Sequence, residues 1–256
     1  MSRTVVVVPC YNEARRLDVA AFAAFAVEPD APHLLFVDDG SSDATLEVLE
    51  GLRELAPESV SILALETNGG KAEAVRRGML AAVEHHAPEF TGFWDADLST
   101  PLYAIEQMLD MFDARPHLDI VMASRIQLLG RRVLRNPARH YAGRVFATLA
   151  STLLRMPVYD TQCGAKLFRV RASFLDALQE PFLTDWVFDV ELLARLIGLR
   201  AEHGETEVED ATYEFPLHEW VDVAGSRLRA HDFPLAAVDL AKIWAAHRHE
   251  LARRSR

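Results

Sequence analysis

Three features of the sequence predict an α/β fold with a mostly parallel central sheet flanked by helices. Short apolar runs alternate with longer stretches of helical periodicity from residue 4 to about residue 124. Within the runs apolar residues do not alternate with polar ones, as expected of strands buried on both faces. Each run also breaks off into a polar cluster, and in an open sheet of this class the ligand crevice lies beyond the carboxyl ends of the strands. The alternation asks for right-handed crossovers that cover the sheet with helices.

The first strand is Thr4 to Val8, four valines closed by Pro9. Tyr11-Asn12-Glu13 then leads into a helix on which Leu17, Ala21 and Phe25 recur at i+4 spacing, and Pro29 and Pro32 stop it. The second strand, Leu34 to Val37, ends at once in Asp38-Asp39-Gly40-Ser41-Ser42-Asp43. Ser41 or Ser42 is expected to cap the next helix, whose stripe is Leu46, Leu49, Leu52 and Leu55. Val60 to Leu65 is a third strand, Asn68-Gly69-Gly70-Lys71 a turn, and Val75, Met79 and Val83 one face of a helix. A fourth strand, Phe90 to Trp94, delivers Asp95-Ala96-Asp97-Leu98-Ser99; a helix follows Pro101, and Ile120 to Ala123 is the fifth strand.

The polar clusters therefore fall on one rim. Any one of them alone reads as a turn, but their convergence on one rim is better explained by a common site. One residue between two carboxylates lets Asp95 and Asp97 approach one hard divalent cation, Mg2+ or Mn2+, which can neutralise the phosphates of a bound nucleotide. Asp38 or Asp39 can accept hydrogen bonds from a base or ribose. Lys71 opens a helix whose exposed amides favour an anion, and it can reach a phosphate with help from the Gly69-Gly70 backbone. The P-loop pattern Gly-x-x-x-x-Gly-Lys-Ser/Thr does not occur.

Beyond residue 124 the character changes. Arg125, Arg131, Arg132, Arg135 and Arg139 form a basic run in an acidic chain, and beside a nucleotide and metal crevice such a run suits a phosphorylated acceptor. A helix from about Ala138 to Leu154 carries Tyr141, Val145, Leu149 and Leu153 in a stripe; core packing, an oligomer surface and a bilayer interface are all open to it. A short strand follows at Leu167 to Val170, and Cys163 lacks the close His or second Cys that a thiol nucleophile or zinc site would need. Asp189 and Glu191, two apart on a helix, cannot share a face, so one is expected at the site and the other as a cap or surface residue. Glu205 to Phe215 supplies an edge strand, and the last helix runs from Pro234 to Leu251.

Composition bounds the partners. At 256 residues and 50% hydrophobic, the chain can bury a large core, and it is long enough for an enzyme. A formal charge of −11 argues against a nucleic-acid groove and against general adsorption to anionic lipid. Two cysteines, Cys10 and Cys163, fit a reducing, cytoplasmic setting. The first apolar run is too short for a signal peptide, and no window approaches the roughly 20 apolar residues of a membrane span. A cytoplasmic protein is therefore expected, and any membrane contact is expected to be peripheral, at the cytoplasmic face, or through a partner.

The runs Val8-Pro9-Cys10-Tyr11-Asn12-Glu13, Val37-Asp38-Asp39-Gly40-Ser41-Ser42-Asp43, Asn68-Gly69-Gly70-Lys71 and Asp95-Ala96-Asp97-Leu98-Ser99 together resemble the family 2 glycosyltransferases of inverting type and GT-A fold. The later runs Asp160-Thr161-Gln162-Cys163-Gly164 and Trp186-Val187-Phe188-Asp189-Val190-Glu191 resemble the dolichyl-phosphate beta-glucosyltransferase branch, close to the polyprenyl-phosphate mannosyltransferases. The resemblance covers about residues 4 to 230. It implies that Pro9, Asn12 and Glu13 border the nucleotide, that Asp39 contacts the nucleoside while Asp38 supports its loop, and that Asp95-Ala96-Asp97 lies at the diphosphate and the metal with Lys71 nearby. It implies Arg125, Arg131, Arg135 and Arg139 on the acceptor side. The hydrophobic anchor that many lipid-linked members carry at one end is not seen.

One GT-A-like domain spanning 1–256 is expected, with a nucleotide-binding half at about 1–124 and an acceptor-side half at about 125–230 joined by the helix 234–251. The implied reaction is metal-dependent, inverting transfer of a hexose from a nucleotide sugar, UDP-glucose in preference to GDP-mannose, to a polyprenyl phosphate. A GDP-mannose-dependent mannosyltransferase, or transfer to a soluble or protein-bound hydroxyl, are the alternatives. Asp97, through the metal, and Lys71 would stabilise the departing diphosphate. A lipid phosphate is already ionised, whereas a hydroxyl needs a base, for which Asp160 and Asp189 are the candidates. A homo-oligomer is a further expectation.

Overall fold

The computed structural model describes residues 3–134, 137–221 and 232–253, without the side chains of residues 137–140, 142, 232–234 and 253. The strands β1 (Thr4–Cys10), β2 (His33–Asp38), β3 (Val60–Ala64) and β4 (Phe90–Trp94) alternate with the helices α1 (Val19–Ala26), α2 (Thr45–Leu55) and α3 (Lys71–His86). After α4 (Ala104–Ala114) come β5 (Ile120–Ser124), the short β6 (Arg132–Leu134) and α5 (Pro137–Leu154). The chain continues through β7 (Ala165–Arg169), α6 (Ala172–Ala177), α7 (Phe188–Glu202), β8 (Thr212–Pro216), β9 (Glu219–Val221) and α8 (Asp232–Arg253).

Seven strands form one sheet in the order β3-β2-β1-β4-β7-β5-β8, and β6 pairs with β9 in a small second sheet. The first four strands are parallel, as is the β5/β8 pair. β7 lies antiparallel between β4 and β5, so the expected mostly parallel sheet is mixed in its second half. The order reverses at β1: β2 and β3 go to one side and β4 to the other. That reversal opens a crevice beyond the carboxyl ends of β1 and β4, where open α/β sheets bind ligands.

Both faces of the sheet are covered. Val5 and Val7 pack with Leu35, Val37 and Phe93 against α3 and α7, while Val6 and Val8 pack with Leu34, Phe36 and Trp94 against α1, α2 and α4. Two-sided burial is why the valine run shows no alternation. Near the far end of the sheet Asp119 gathers three arginines, Arg200 at 2.8 Å, Arg171 at 3.1 Å and Arg169 at 3.3 Å, and so ties β5, β7 and α7 together.

Local chemistry moved several boundaries. Asp18 caps α1 by accepting from the Ala21 amide at 3.0 Å, so Leu17 lies outside the helix and Phe22, Phe25 and Ala26 form its buried face. Neither Ser41 nor Ser42 caps α2; the Asp43 carboxylate holds its first turn through the Thr45 amide and hydroxyl. On α5, Phe146, Ala150 and Leu154 are buried and Leu153 is partly so, while Tyr141, Val145 and Leu149 are exposed. No described helix is long and apolar enough to cross a membrane.

Candidate active site

A cleft of about 600 Å³ opens beyond β1 and β4, walled on its far side by α5 and α7. Of the residues expected at the nucleotide, Pro9, Glu13, Asp39 and Lys71 line it, as do Asp95, Ala96 and Asp97. Asn12 and Asp38 do not. Asn12, held at a positive φ of 54°, accepts from the Ser42 amide at 2.9 Å and fastens the end of β1 to the loop after β2. Asp38 is buried below the rim, and its Oδ1 has no hydrogen-bond partner among the described residues. Asp39, besides lining the cleft, holds the turn before α3: its carboxylate accepts from Asn68 Nδ2 at 2.9 Å and from the amides of Gly69 at 2.8 Å and Gly70 at 2.9 Å.

The two carboxylates after β4 stand at the centre of the cleft. Asp95 Oδ1 accepts from Lys71 Nζ at 2.5 Å, and Asp97 Oδ1 accepts from the Ser99 amide at 3.0 Å. The cleft works against the Lys71 charge, but Asp95 outweighs it and raises the ammonium pKa. Asp95 can lie where it does because residue 164 is glycine: a Cβ there would sit 1.7 Å from Asp95 Oδ2. Among the described residues no group of three or more His, Cys, Asp or Glu is arranged to hold a metal ion. Two carboxylates, one already paired with a cation, fit a hard divalent ion that completes its shell with substrate phosphate oxygens and water. Asp95 and Asp97 are the residues that would hold it.

The loop before α7 reaches across to the start of α3. Asp185 accepts from the Ala72 amide at 2.9 Å and packs against Gly70, where a φ of 86° favours glycine and leaves no room for a Cβ. An acidic side chain thus takes a free amide of that helix start, where a phosphate would be favoured.

The acceptor side differs more from expectation. Arg125 lines the cleft, but its guanidinium grips Asp160 with Nε to Oδ2 and Nη2 to Oδ1, both at 2.7 Å. Burial opposes the Arg125 charge, and Asp160 outweighs it and raises the pKa. One guanidinium thus takes both Asp160 oxygens, and the Arg125 amide adds a further bond to Oδ2 at 3.0 Å. Arg131 does not line the cleft; it donates to the Pro216 carbonyl at 2.6 Å. Arg135 and the Arg139 side chain lie outside the described residues. Glu191, expected as a cap or surface residue if Asp189 faced the site, is fully buried and accepts from the Leu183 and Thr184 amides. Burial pushes the Cys163 thiol up to about 11, as suits a packed cysteine.

Asp189, at the first turn of α7, faces the cleft. Its Oδ1 accepts from Gln162 Nε2 and from the Val190 amide, and its Oδ2 from Lys166 Nζ at 3.2 Å. Burial raises its pKa, while Lys166 and Lys71 pull it back. Two cleft arginines went unnoticed in the sequence. Arg16 pairs with Glu13 at 3.3 Å, and Arg144 lies 3.7 Å from the Tyr159 ring centroid and donates to the Tyr159 carbonyl at 3.3 Å. No carboxylate among the described residues pairs with Arg144.

A mixed α/β sheet with a paired-carboxylate rim at its switch point defines a GT-A-type, nucleotide-sugar-binding glycosyltransferase. The chain belongs to glycosyl transferase family 2, whose family model matches residues 5–174. Within that family it is related to the dolichyl-phosphate glucosyltransferases and polyprenyl-phosphate mannosyltransferases. It is 30% identical over 253 residues to a dolichyl-phosphate beta-glucosyltransferase of Trichomonas vaginalis, covering 94% of this chain and 70% of that protein. The dolichyl-phosphate beta-glucosyltransferase of Drosophila melanogaster is 32% identical over 237 residues, 87% of this chain and 68% of that one. Glucosyl-3-phosphoglycerate synthase of Mycobacterium tuberculosis, solved with Mn2+, uridine-diphosphate-glucose and phosphoglyceric acid, matches with a TM-score of 0.66 at 15% identity, over 95% of this chain and 79% of that chain.

The expectation of a polyprenyl phosphate partner is corrected by these structures. A protein that shares the fold over 95% of this chain holds phosphoglyceric acid, a water-soluble phosphate, instead of a lipid phosphate. The two described arginines expected on the acceptor side are also engaged elsewhere, Arg125 with Asp160 and Arg131 with a carbonyl.

Proposed function

We propose that this protein transfers a hexose from a UDP-sugar, with UDP-glucose favoured, to a hydroxyl of a small soluble acceptor that carries an anionic group, inverting the anomeric carbon. The observation that carries this reading is the convergence of Asp95, Lys71 and Asp189 in one cleft. The binding of UDP-glucose, Mn2+ and phosphoglyceric acid by the fold relative from M. tuberculosis supports it. We further propose that residues 1–124 form the nucleotide side and 125–230, with the helix 234–251, the acceptor side.

A bound Mn2+ or Mg2+ would serve as a Lewis acid on the diphosphate oxygens. Asp95 and Asp97 would hold that ion, and Lys71, beside Asp95 in the cleft, would face the phosphates and stabilise the leaving nucleoside diphosphate. Asp189 accepts the acceptor's hydroxyl proton as the new bond to the anomeric carbon forms and the bond to the diphosphate oxygen breaks. Asp189 suits this role better than Asp160, since one of its oxygens meets only the Lys166 ammonium among the described residues, whereas Arg125 takes both of Asp160's. Arg144, which has no acidic partner among the described residues, is available to the acceptor's anionic group. The test is competition between UDP and GDP for the Mn2+-loaded protein, followed by UDP release on adding phosphorylated hydroxy acids. Tighter GDP binding defeats the donor assignment, and release indifferent to every soluble acceptor defeats the acceptor assignment.

A further inference from the structure

Lys166 is the most deeply buried ammonium among the described residues, with its side chain 1% exposed near the start of β7. Burying an ammonium costs several kcal/mol unless its donors are met. Its Nζ donates to the Cys163 carbonyl at 2.6 Å and to Asp189 Oδ2 at 3.2 Å, and lies 5.2 Å from the Phe93 ring centroid. Lys166 does not line the cleft, whereas Asp189 does. The lysine therefore meets the site through that carboxylate. An apolar pair would fill the same volume at no desolvation penalty, so stability alone is a poor reason for the ions.

The geometry around Asp189 is divided. Oδ1 is taken from the protein side by Gln162 Nε2 and the Val190 amide, and Oδ2 by Lys166. A carboxylate oxygen can accept more than one hydrogen bond, so Oδ2 keeps capacity for a donor on its cleft side. We propose that Lys166 is a positioning residue for the transfer, holding Asp189 ionised from behind and directing Oδ2 at the acceptor hydroxyl. The proposal rests on the reading of Asp189 as the base. In the step, the hydroxyl proton passes to Asp189 Oδ2, the acceptor oxygen bonds the anomeric carbon, and the bonding pair of the broken C–O bond leaves with the nucleoside diphosphate. Lys166 keeps its proton throughout. The charged groups facing Asp189 are Lys166 from β7 and Lys71 from α3, with the neutral Gln162 beside them and the Phe93 ring of β4 under Lys166.

Removing the Lys166 charge leaves burial less opposed, so the carboxylate binds its proton more tightly and the acid limb of the rate profile moves up. The experiment compares wild type, Lys166→Met, Lys166→Gln, Asp189→Asn and the Asp189→Asn/Lys166→Met double variant, reading kcat against pH, UDP affinity with Mn2+, and thermal melting. The acid limb of Lys166→Met is expected to rise by about one pH unit or more with UDP affinity unchanged. In the Asp189→Asn background the same change is expected to lower kcat by less than about twofold, as for two groups acting as a unit. Should Lys166→Met not fold, Lys166→Gln, which keeps a donor and drops the charge, is read the same way. A rate lowered equally at every pH, or a double variant tenfold or more below Asp189→Asn, overturns the proposal. Full turnover in Asp189→Asn instead defeats the reading of Asp189 as base.

Discussion

Gly164→Ala tests the placement of the Asp95 carboxylate without replacing any charged residue. The Cβ it adds would stand 1.7 Å from Asp95 Oδ2, whereas ordinary contact begins at 3.4 Å, so the carboxylate must retreat by about 1.7 Å. The other side of Asp95 offers no easy refuge, since Lys71 Nζ already lies 2.5 Å from Oδ1. Misplacing a catalytic group by about 1 Å can cost roughly a hundredfold, and groups that orient a metal ligand are typically worth roughly 10–100-fold in affinity or activity. Mn2+ affinity in the presence of UDP is therefore expected to fall by about ten- to a hundredfold, and turnover with it. Isothermal titration of Mn2+ into the UDP complex measures this, with thermal melting as the control for folding. A folded Gly164→Ala protein that binds Mn2+ and turns over like wild type would refute the placement of Asp95 at the metal.

The other expectations separate the parts of the site and the fold. Chelation should abolish transfer and added Mn2+ restore it, while Asp97→Ala should lose most turnover with an unchanged circular dichroism spectrum; activity that survives both would remove the metal from the account. Arg144→Ala should raise the acceptor KM by roughly tenfold, the worth of one charge-assisted hydrogen bond, and leave UDP affinity alone; an effect on UDP affinity instead would move Arg144 to the donor side. Asp119→Ala takes from Arg200, whose side chain is 3% exposed, the nearer of its two carboxylates and leaves Glu205 at 3.2 Å, so it should destabilise the fold by roughly 1.5–3 kcal/mol; urea denaturation reads this, and a loss under about 0.5 kcal/mol would mean that Glu205 alone holds the arginine.

Much of the nucleotide side was legible in the sequence because each element there announces itself locally. The valine run reads as a two-sided strand, and the Asp95-Ala96-Asp97 and Asn68-to-Lys71 runs sit at strand ends whatever the order of the strands. The sheet order was not legible: β7 enters antiparallel between β4 and β5 after a long excursion through α5, and alternation along the chain carries no record of that insertion. Which of Asp38 and Asp39 reaches the cleft was equally hidden in the residues alone, because adjacent residues at a strand end point to opposite sides and the sequence does not say which side is the rim. Lys166 stands just before the strand read at Leu167 to Val170, and only the fold puts Asp189, 23 residues later, against it. Arg144 was masked by the apolar stripe around it, while the basic run just before that stripe drew attention to Arg125 and Arg131, which bind Asp160 and the Pro216 carbonyl.

The central claim is a metal-dependent single displacement onto a soluble hydroxyl, and the product tests it most directly. UDP-glucose labelled in the sugar, Mn2+ and a panel of phosphorylated hydroxy acids are incubated with the protein beside a polyprenyl phosphate in detergent, and the product is identified by mass and by the anomeric proton coupling in its NMR spectrum. The account predicts a glucosylated soluble acid with the anomeric configuration opposite to the donor's, formed only with the metal present. Glucose found solely on the polyprenyl phosphate, or a soluble product that retains the donor's configuration, would contradict it.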